Sequence, residues 1–197
     1  SIRNLPFPMK LGAITLVMVL PVLLLGVFFV RTQLESIAFA ENEHAGAEYY
    51  HELEETLIPL GEREAYLVAA ALGDAGASAK AVAATAEVDE VMTAMDAMQP
   101  GFDGAAGEAA SRWGEIRSGW QALKGNRSAL PSEITTSHAA LRTRIIDFIN
   151  WIAGTSGITL DPDPVAYFVL DTAVNRVPSL EAAFADVRAL AARVAAQ

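Results

Sequence analysis

The sequence has no cysteine and only three histidines, and its 14 basic side chains are far fewer than its 24 acidic ones. The absence of cysteine excludes a disulfide framework, thiol catalysis and cysteine zinc sites. Of the 14 basic side chains only Arg3 and Lys10 precede residue 31, whereas all 24 acidic side chains follow it. The acidic part has no basic face for phosphate groups, so we expect no nucleic-acid partner.

Signatures of enzymes are also missing from the sequence. There is no Gly-x-Ser-x-Gly motif and no glycine-rich phosphate loop between a strand and a helix. We therefore expect neither catalytic activity nor a cofactor in this chain.

Alanine is abundant, with 37 of 197 residues, and β-branched runs are few after residue 30. This composition favours helices over sheet and predicts an all-α fold.

Residues 11–30 form a run of 20 residues without a charged side chain. A helix of that length spans about 30 Å, which is the thickness of the hydrocarbon core of a bilayer. We interpret this run as a transmembrane helix, and its Pro21 and Gly26 are compatible with that because both residue types are common in membrane-spanning helices. A buried core helix is the soluble alternative, but soluble cores rarely contain so long an uncharged run.

A cleavable signal peptide is a further alternative for the same run. Residues 38–40, Ala-Phe-Ala, have the small-x-small pattern of a cleavage site. However, the apolar run is longer than a usual signal-peptide core, and charged residues including Arg31 and Glu35 lie between it and Ala40. We therefore favour an uncleaved membrane anchor.

The charges that flank the apolar run predict its orientation. Basic residues lie before it and the acidic excess lies after it, which by the positive-inside rule places the N-terminus in the cytoplasm. The predicted organisation is a cytoplasmic tail over residues 1–10, a transmembrane helix over residues 11–30 and an extracytoplasmic domain over residues 31–197.

In residues 31–197 apolar side chains recur at spacings of three and four, which is the pattern of amphipathic helices. Pro59 and Pro178 are expected to kink the first and the last helix. Glycine and proline clusters separate the apolar stripes and predict helices over residues 31–73, 77–98, 105–124, 132–153 and 164–196.

We expect these helices to form an up-down-up-down four-helix bundle after the N-terminal transmembrane helix. An even number of arms follows if the last helix returns to the membrane, so the helices at 77–98 and 105–124 are predicted to form one broken descending arm. The last stripe reaches Val194 without a stop signal, which predicts that the natural chain continues past Gln197 into a second transmembrane helix.

One face of the first external helix is a candidate metal site. Five side chains at spacings of three and four share that face. Imidazoles and carboxylates one turn apart can hold a divalent metal, and the alternative is a solvated acidic face. The residues are Glu41, His44, Glu48, His51 and Glu55.

Three side chains on the apolar stripes are candidates for contacting a ligand, which we expect to be an unidentified small molecule or protein. Trp113 and Trp120 lie on the apolar stripe of residues 113–123, and His138 lies on that of residues 134–152. The alternative for His138 is a core histidine whose hydrogen bonds are satisfied within the fold.

The segment over residues 161–164, Asp-Pro-Asp-Pro, precedes the last predicted helix. Asp163 is expected to cap that helix, and Pro164 to occupy its first position, where a missing N–H costs nothing. A cation site is the alternative, but the spacing lacks the later ligands of a calcium loop.

This segment also carries a resemblance to a known class of proteins. Residues 160–164 with residues 167–171 and 177–178 resemble the LDPDxxxYxLxD…LP signature in extracytoplasmic regions of bacterial transmembrane sensory receptors, which include chemotaxis receptors and sensor histidine kinases. Residues 39–49 are similar to the FAxxExxGxxY stretch that follows the first span in the same proteins, and residues 57–63 resemble a turn of helical sensor domains of the nitrate-sensing type. The motif residues are Asp161, Pro162, Asp163, Pro164, Tyr167 and Asp171.

The resemblance implies a periplasmic helical sensor domain, usually in a homodimer, anchored in the bacterial inner membrane. It also implies a cytoplasmic output module, chemotactic or kinase, outside this chain. The function we expect is the sensory input region of a membrane receptor, which detects an extracytoplasmic cue and relays it by a small helix displacement. The alternative is a membrane-anchored helical adaptor or scaffold that binds a partner protein.

Overall fold

The structure, a computed structural model, describes residues 6–98, 106–126, 130–160 and 164–195. These residues are helical or lie in short turns, and no strand occurs among them, which confirms the all-α prediction. A short 3-10 helix, Ile158–Leu160, and a π-helical turn, Thr172–Arg176, follow two of the α-helices. The α-helices are α1 (Phe7–Glu55), α2 (Leu57–Ala71), α3 (Ala77–Ala97), α4 (Ala106–Gly125), α5 (Pro131–Ser156), α6 (Pro164–Asp171) and α7 (Val177–Ala195).

The chain divides into two compact units, residues 1–41 and residues 42–197. The described part of the first unit is the N-terminal portion of α1, whose large apolar side chains are exposed. With a mean hydropathy of 2.8 in its most apolar window, this is the one helix among the described residues that is long and apolar enough to cross a membrane. The transmembrane and signal-peptide interpretations both require such a helix.

Both predicted proline kinks coincide with breaks in α-helical geometry. Thr56 separates α1 from α2 just before Pro59, whose missing N–H leaves the carbonyl of Glu55 without its helical partner. Pro178 has the same effect on the carbonyl of Val174, which lies in the π-helical turn. The predicted helix over 31–73 is therefore two helices, and the one over 164–196 is α6 and α7 joined by that turn.

The prediction that residues 77–98 and 105–124 form one broken arm is wrong, because α4 runs back along α3. The indole of Trp113 donates to Asp96, and that of Trp120 donates to Asp89. End to end the two helices would be about 60 Å long, whereas a helix with the 26 residues of α5 spans about 39 Å. Side-by-side packing lets both helices bury their apolar faces, so the described part of the second unit has five arms rather than four.

α7 runs in the same direction as α2, so the expectation of a returning last helix is wrong within the second unit. Near the start of the unit, the hydroxyl of Tyr50 donates to the carbonyl of Ala173 at 2.9 Å. At the opposite end, Ala192 and Ala195 line the same depression as Leu72. The expectation depended on an even number of arms, which the separate packing of α3 and α4 removes.

The core of the second unit takes large side chains from α1, α2, α3, α4 and α5, and small residues bring the helices close together. A Cβ on Gly46 would overlap the side chain of Ser156, and one on Gly61 would lie 2.7 Å from the Cβ of Ala185. Close helix approach therefore explains the glycine of the FAxxExxGxxY stretch. The largest fully buried side chains are Trp120, Phe148, Leu53, Leu57, Leu60, Met95, Ile116, Ile145, Ile149 and Ile152.

Candidate functional site

Among the described residues of the second unit, two arginines, a glutamate and a histidine lie in the interior, where such groups are rare. Arg63 and Glu64 belong to α2, and His138 and Arg142 belong to α5; each is at most 6% exposed. Burying a charge is unfavourable unless it is paired and hydrogen-bonded. The partners of these four side chains therefore indicate what the cluster does.

Arg142 and Glu64 form a buried ion pair that joins three helices. Arg142 Nη1 donates to Glu64 Oε2 at 2.8 Å, and its Nη2 donates to Asp186 Oδ1 of α7 at 2.6 Å. Burial raises the pKa of Glu64, while the guanidinium of Arg142 acts in the opposite direction. Because both Nη atoms of Arg142 donate to carboxylates, this pair holds α2, α5 and α7 together and is a structural feature.

Arg63 has no such counter-ion. Its Nε donates to Thr85 Oγ1 at 2.9 Å, and its Nη1 lies 2.6 Å from His138 Nε2. Its guanidinium carbon lies 5.1 Å from the centre of the Trp120 ring, which is a cation–π distance. No carboxylate among the described residues lies within ion-pair distance of Arg63. Burial lowers the pKa of its guanidinium, and the negative charge of Asp89, beyond ion-pair distance, acts in the opposite direction. The charge of Arg63 is therefore incompletely compensated.

The hydrogen bonds of His138 define its protonation state. Nδ1 lies 2.7 Å from the carbonyl oxygen of Ile134, which can only accept, so Nδ1 carries the proton. Nε2 then has a free lone pair and accepts from Arg63. Burial lowers the pKa of His138 to about 4; the bond to Ile134 opposes this shift, and the cations Arg63 and Arg142 add to it. His138 is therefore a neutral histidine that accepts a hydrogen bond from Arg63.

A cavity of about 290 Å³ opens beside this pair. Arg63 and His138 form its buried polar wall, and the more exposed Lys124 lies at its rim. The cavity therefore combines a buried cation with a wall that is partly apolar. The other lining residues are Leu67, Leu123, Asn126, Ile134 and Ser137.

Lys124 does not add an uncompensated charge to the cavity, because it is paired with Asp89. Lys124 Nζ donates to Asp89 Oδ1 at 2.6 Å, and Trp120 Nε1 donates to the same oxygen at 2.7 Å. Burial raises the pKa of Asp89, but these two hydrogen bonds together with the positive charges of Lys124 and Arg63 outweigh it, so the net shift is downward. Asp89 is ionised and pairs with Lys124, and it also attracts Arg63 beyond ion-pair distance. Among the described residues, two cations therefore share one carboxylate, and one net positive charge is left beside the cavity.

Two of the three ligand candidates from the sequence meet at this site. His138 and Trp120 both contact Arg63. Trp113 lies elsewhere, half-buried, and its Nε1 donates to Asp96 Oδ1 at 2.8 Å. Arg63 itself was not predicted as a site residue, although its position between Leu60 and Leu67 on the apolar face of α2 is a signal that could have identified it.

The histidine face of α1 is an exposed surface in the structure. In the second unit, His44 Nε2 lies 3.5 Å from Glu48 and His51 Nε2 lies 3.4 Å from Glu55, and all four side chains are more than half exposed. Glu41 is exposed in the first unit. Within the described ranges no three acidic or histidine side chains come close enough to hold a metal ion. The geometry favours the solvated acidic face over the metal site.

The sequence motif before the last helix is only partly covered by the structure. Asp161, Pro162 and Asp163 lie outside the described residues, as does the side chain of Tyr167. Helix α6 begins at Pro164, which is the first helical position predicted for that residue. The carboxylate of the motif residue Asp171 accepts from Asn175 Nδ2 at 2.8 Å and lies 3.6 Å from Arg176 Nε. In the structure Asp171 therefore contacts two side chains of the π-helical turn.

Comparison with known proteins gave no relative. No model of a protein family, no curated protein and no solved structure matches this chain. The function is therefore inferred from the geometry of the site and from the short sequence motifs.

Proposed function

We propose that this chain is the sensory input region of a bacterial inner-membrane receptor, with its N-terminus in the cytoplasm and residues 31–197 in the periplasm. The observation that carries the proposal is the incompletely compensated Arg63 beside a cavity of about 290 Å³. A cavity near the lower end of the usual range for ligand pockets, about 300–1,000 Å³, suits a small molecule rather than a peptide.

The relay is proposed to run through α1. This helix is uninterrupted from Phe7 to Glu55, and its last turns bury Gly46, Tyr49 and Leu53 in the core. A ligand that changes the packing of the core therefore acts directly on α1, and small helix displacements of this kind are a common form of switching. α7 offers no second route back within the described residues, since it runs in the same direction as α2.

A ligand screen tests this proposal. All three tryptophans lie in the second unit, so their fluorescence in the full chain in detergent micelles reports the bundle alone. We expect at least one compound in a library of small anions, cations and neutral metabolites to raise the melting temperature. At a concentration of 100 Kd the stabilisation is about 2.7 kcal/mol, which corresponds to roughly 5–10 °C. Cooperative unfolding that no compound shifts would contradict the sensory function.

An apolar stripe on α7 supports a homodimer. Its members are exposed or half-buried and alternate at spacings of three and four, which is the a/d pattern of a coiled-coil seam. In a parallel pair, the flanking Arg176 would lie opposite Glu181 of the other copy, a favourable charge pair. The stripe residues are Val177, Leu180, Phe184, Val187, Ala191 and Val194.

Disulfide trapping tests this dimer, because the chain has no cysteine of its own. Under mild oxidation in micelles, we expect Val187→Cys to give a covalent dimer in most of the sample. The matched control is Ser179→Cys, which is exposed on α7 outside the stripe and should stay monomeric on denaturing gels. Equal cross-linking of the two variants would contradict the seam.

A membrane-anchored adaptor is the second candidate function, and the same exposed stripe on α7 is the observation that favours it. In an adaptor the stripe would bind a different protein. A chain that is monomeric by light scattering and forms no Val187→Cys dimer would support this candidate over the homodimeric sensor.

A further inference from the structure

We infer that the cavity beside Arg63 binds a small organic carboxylate. This inference rests on the proposed sensory function and names the chemical class of the ligand. It starts from hydrogen-bond donors that the protein leaves unused. A guanidinium has five N–H donors, and the hydrogen bonds of Arg63 use its Nε with Thr85 and its Nη1 with His138. Nη2 donates no hydrogen bond to the described residues, and it is not one of their fully buried unpaired side-chain atoms, so its N–H groups are accessible to a ligand.

The charge around the cavity favours an anion. Among the described residues, Arg63 and Lys124 share the single carboxylate of Asp89, which lies 2.6 Å from Lys124 and attracts Arg63 beyond ion-pair distance, so one net positive charge is left. The neutral His138 contributes no charge, and its lone pair is already occupied by Arg63. A metal ion or an amine would be repelled by the guanidinium, whereas one carboxylate would supply its missing counter-ion.

The walls of the cavity favour an organic anion over an inorganic one. Leu67, Leu123 and Ile134 line the space next to the polar wall. Leu123 and Ile134 are each 6% exposed and Leu67 is half-buried, so the apolar surface that is still uncovered is mainly that of Leu67. A short hydrocarbon body would cover this surface, whereas phosphate would not. A carboxylate with a short apolar body therefore fits both the charge and the surface of the cavity.

Titration calorimetry on the full chain in micelles tests this inference. The probes are acetate, butyrate and hexanoate, their neutral amides, and inorganic phosphate, all at pH 7 and constant ionic strength. We expect saturable binding of butyrate or hexanoate, at least tenfold weaker binding of the matching amide, and weaker binding of phosphate. Because Arg63 lies over Trp120, binding should also change tryptophan fluorescence.

Variants of the cavity identify the binding group. Arg63→Gln should abolish carboxylate binding, and Arg63→Lys, which keeps the charge but not the planar donor pair, should weaken it at least tenfold. Lys124→Gln at the rim should weaken it a few-fold. The control Arg117→Gln removes the same charge from α4 at a pair with Asp96 outside the cavity, and should bind as the parent does. Should Arg63→Gln fail to fold, the Arg63→Lys and Lys124→Gln affinities decide the result.

The possible results separate this inference from the proposed function. Tighter binding of phosphate than of any carboxylate, or equal affinities in the parent and Arg63→Lys, would overturn the assignment. If no carboxylate binds but the ligand screen finds a neutral or cationic compound, the carboxylate site is excluded and the sensory function stands. If nothing binds in either experiment, both proposals fail.

Discussion

Replacing Arg142 by methionine is expected to lower the free energy of unfolding of the second unit by about 3–5 kcal/mol. Methionine occupies a similar volume but cannot donate to Glu64 or Asp186, which accept from Arg142 at 2.8 and 2.6 Å. Asp186 is largely exposed and can be hydrated, whereas the side chain of Glu64 is fully buried. The loss is therefore dominated by the uncompensated carboxylate of Glu64.

Urea denaturation followed by tryptophan fluorescence in micelles measures this loss. The control is Arg144→Met, an exposed position on the same helix, which should change the free energy of unfolding by about 0.5 kcal/mol or less. In the double variant Glu64→Leu with Arg142→Met, both charges are gone and most of the stability should return. A double variant that is no more stable than Arg142→Met would contradict the interpretation of Glu64 as the source of the loss.

The positions of the helices could be predicted from the sequence because their limits are set locally. Glycine and proline clusters end helices through the backbone alone, so the predicted range 77–98 closely matches Ala77–Ala97 of α3, and 132–153 lies within α5. The break before Pro59 has an equally local cause. These features depend on residues a few positions apart, which a single sequence displays directly.

The number and direction of the arms could not be predicted, because they depend on contacts between distant residues. The pairing of α3 with α4 is fixed by contacts such as that of Trp120 with Asp89, and the direction of α7 by that of Tyr50 with Ala173. An apolar stripe shows that a helix needs a partner but not which helix that partner is. The prediction of an even number of arms replaced this missing information with the assumption that the last helix returns to the membrane. That assumption was wrong.

The candidate site was partly visible in the sequence. His138 and Trp120 stood out as polar or aromatic members of apolar stripes, and both contact Arg63. Arg63 was missed because the apolar face of α2 was defined by apolar members such as Leu60 and Leu67, and the charged residues between them were not considered as part of that face. Charged side chains on the apolar faces of two helices are the signal of a buried polar cluster.

Acidification is expected to destabilise the second unit through His138 by on the order of 3 kcal/mol in total. The pKa of His138 is lowered from 6.5 to about 4 in the folded chain, mainly by burial. As the pH falls below 6.5, the unfolded chain takes up a proton that the folded chain does not, so stability is present above pH 6.5 and is lost on the way to pH 4. Protonation would place an N–H of His138 against Nη1 of Arg63, with two like charges in contact.

Several charged groups around His138 set the conditions of this experiment. Arg63 faces it from α2 and Arg142 lies near it on α5, and both disfavour protonation. Lys124 of α4 lines the same cavity, where it is paired with Asp89. The buried Glu64, whose pKa is raised, changes stability in the opposite sense with pH. The effect of His138 must therefore be measured as a difference between two proteins that share all other groups.

His138→Gln supplies that comparison, because glutamine can accept a hydrogen bond from Arg63 but does not titrate. Between pH 7 and pH 4.5 the parent should lose about 2 kcal/mol more free energy of unfolding than His138→Gln, measured by urea denaturation in micelles at constant ionic strength. The other two histidines are present in both proteins, so their contributions cancel. If the two stability curves stay parallel over this range, His138 is not held as a neutral acceptor, and the unbalanced charge of Arg63 loses its structural basis.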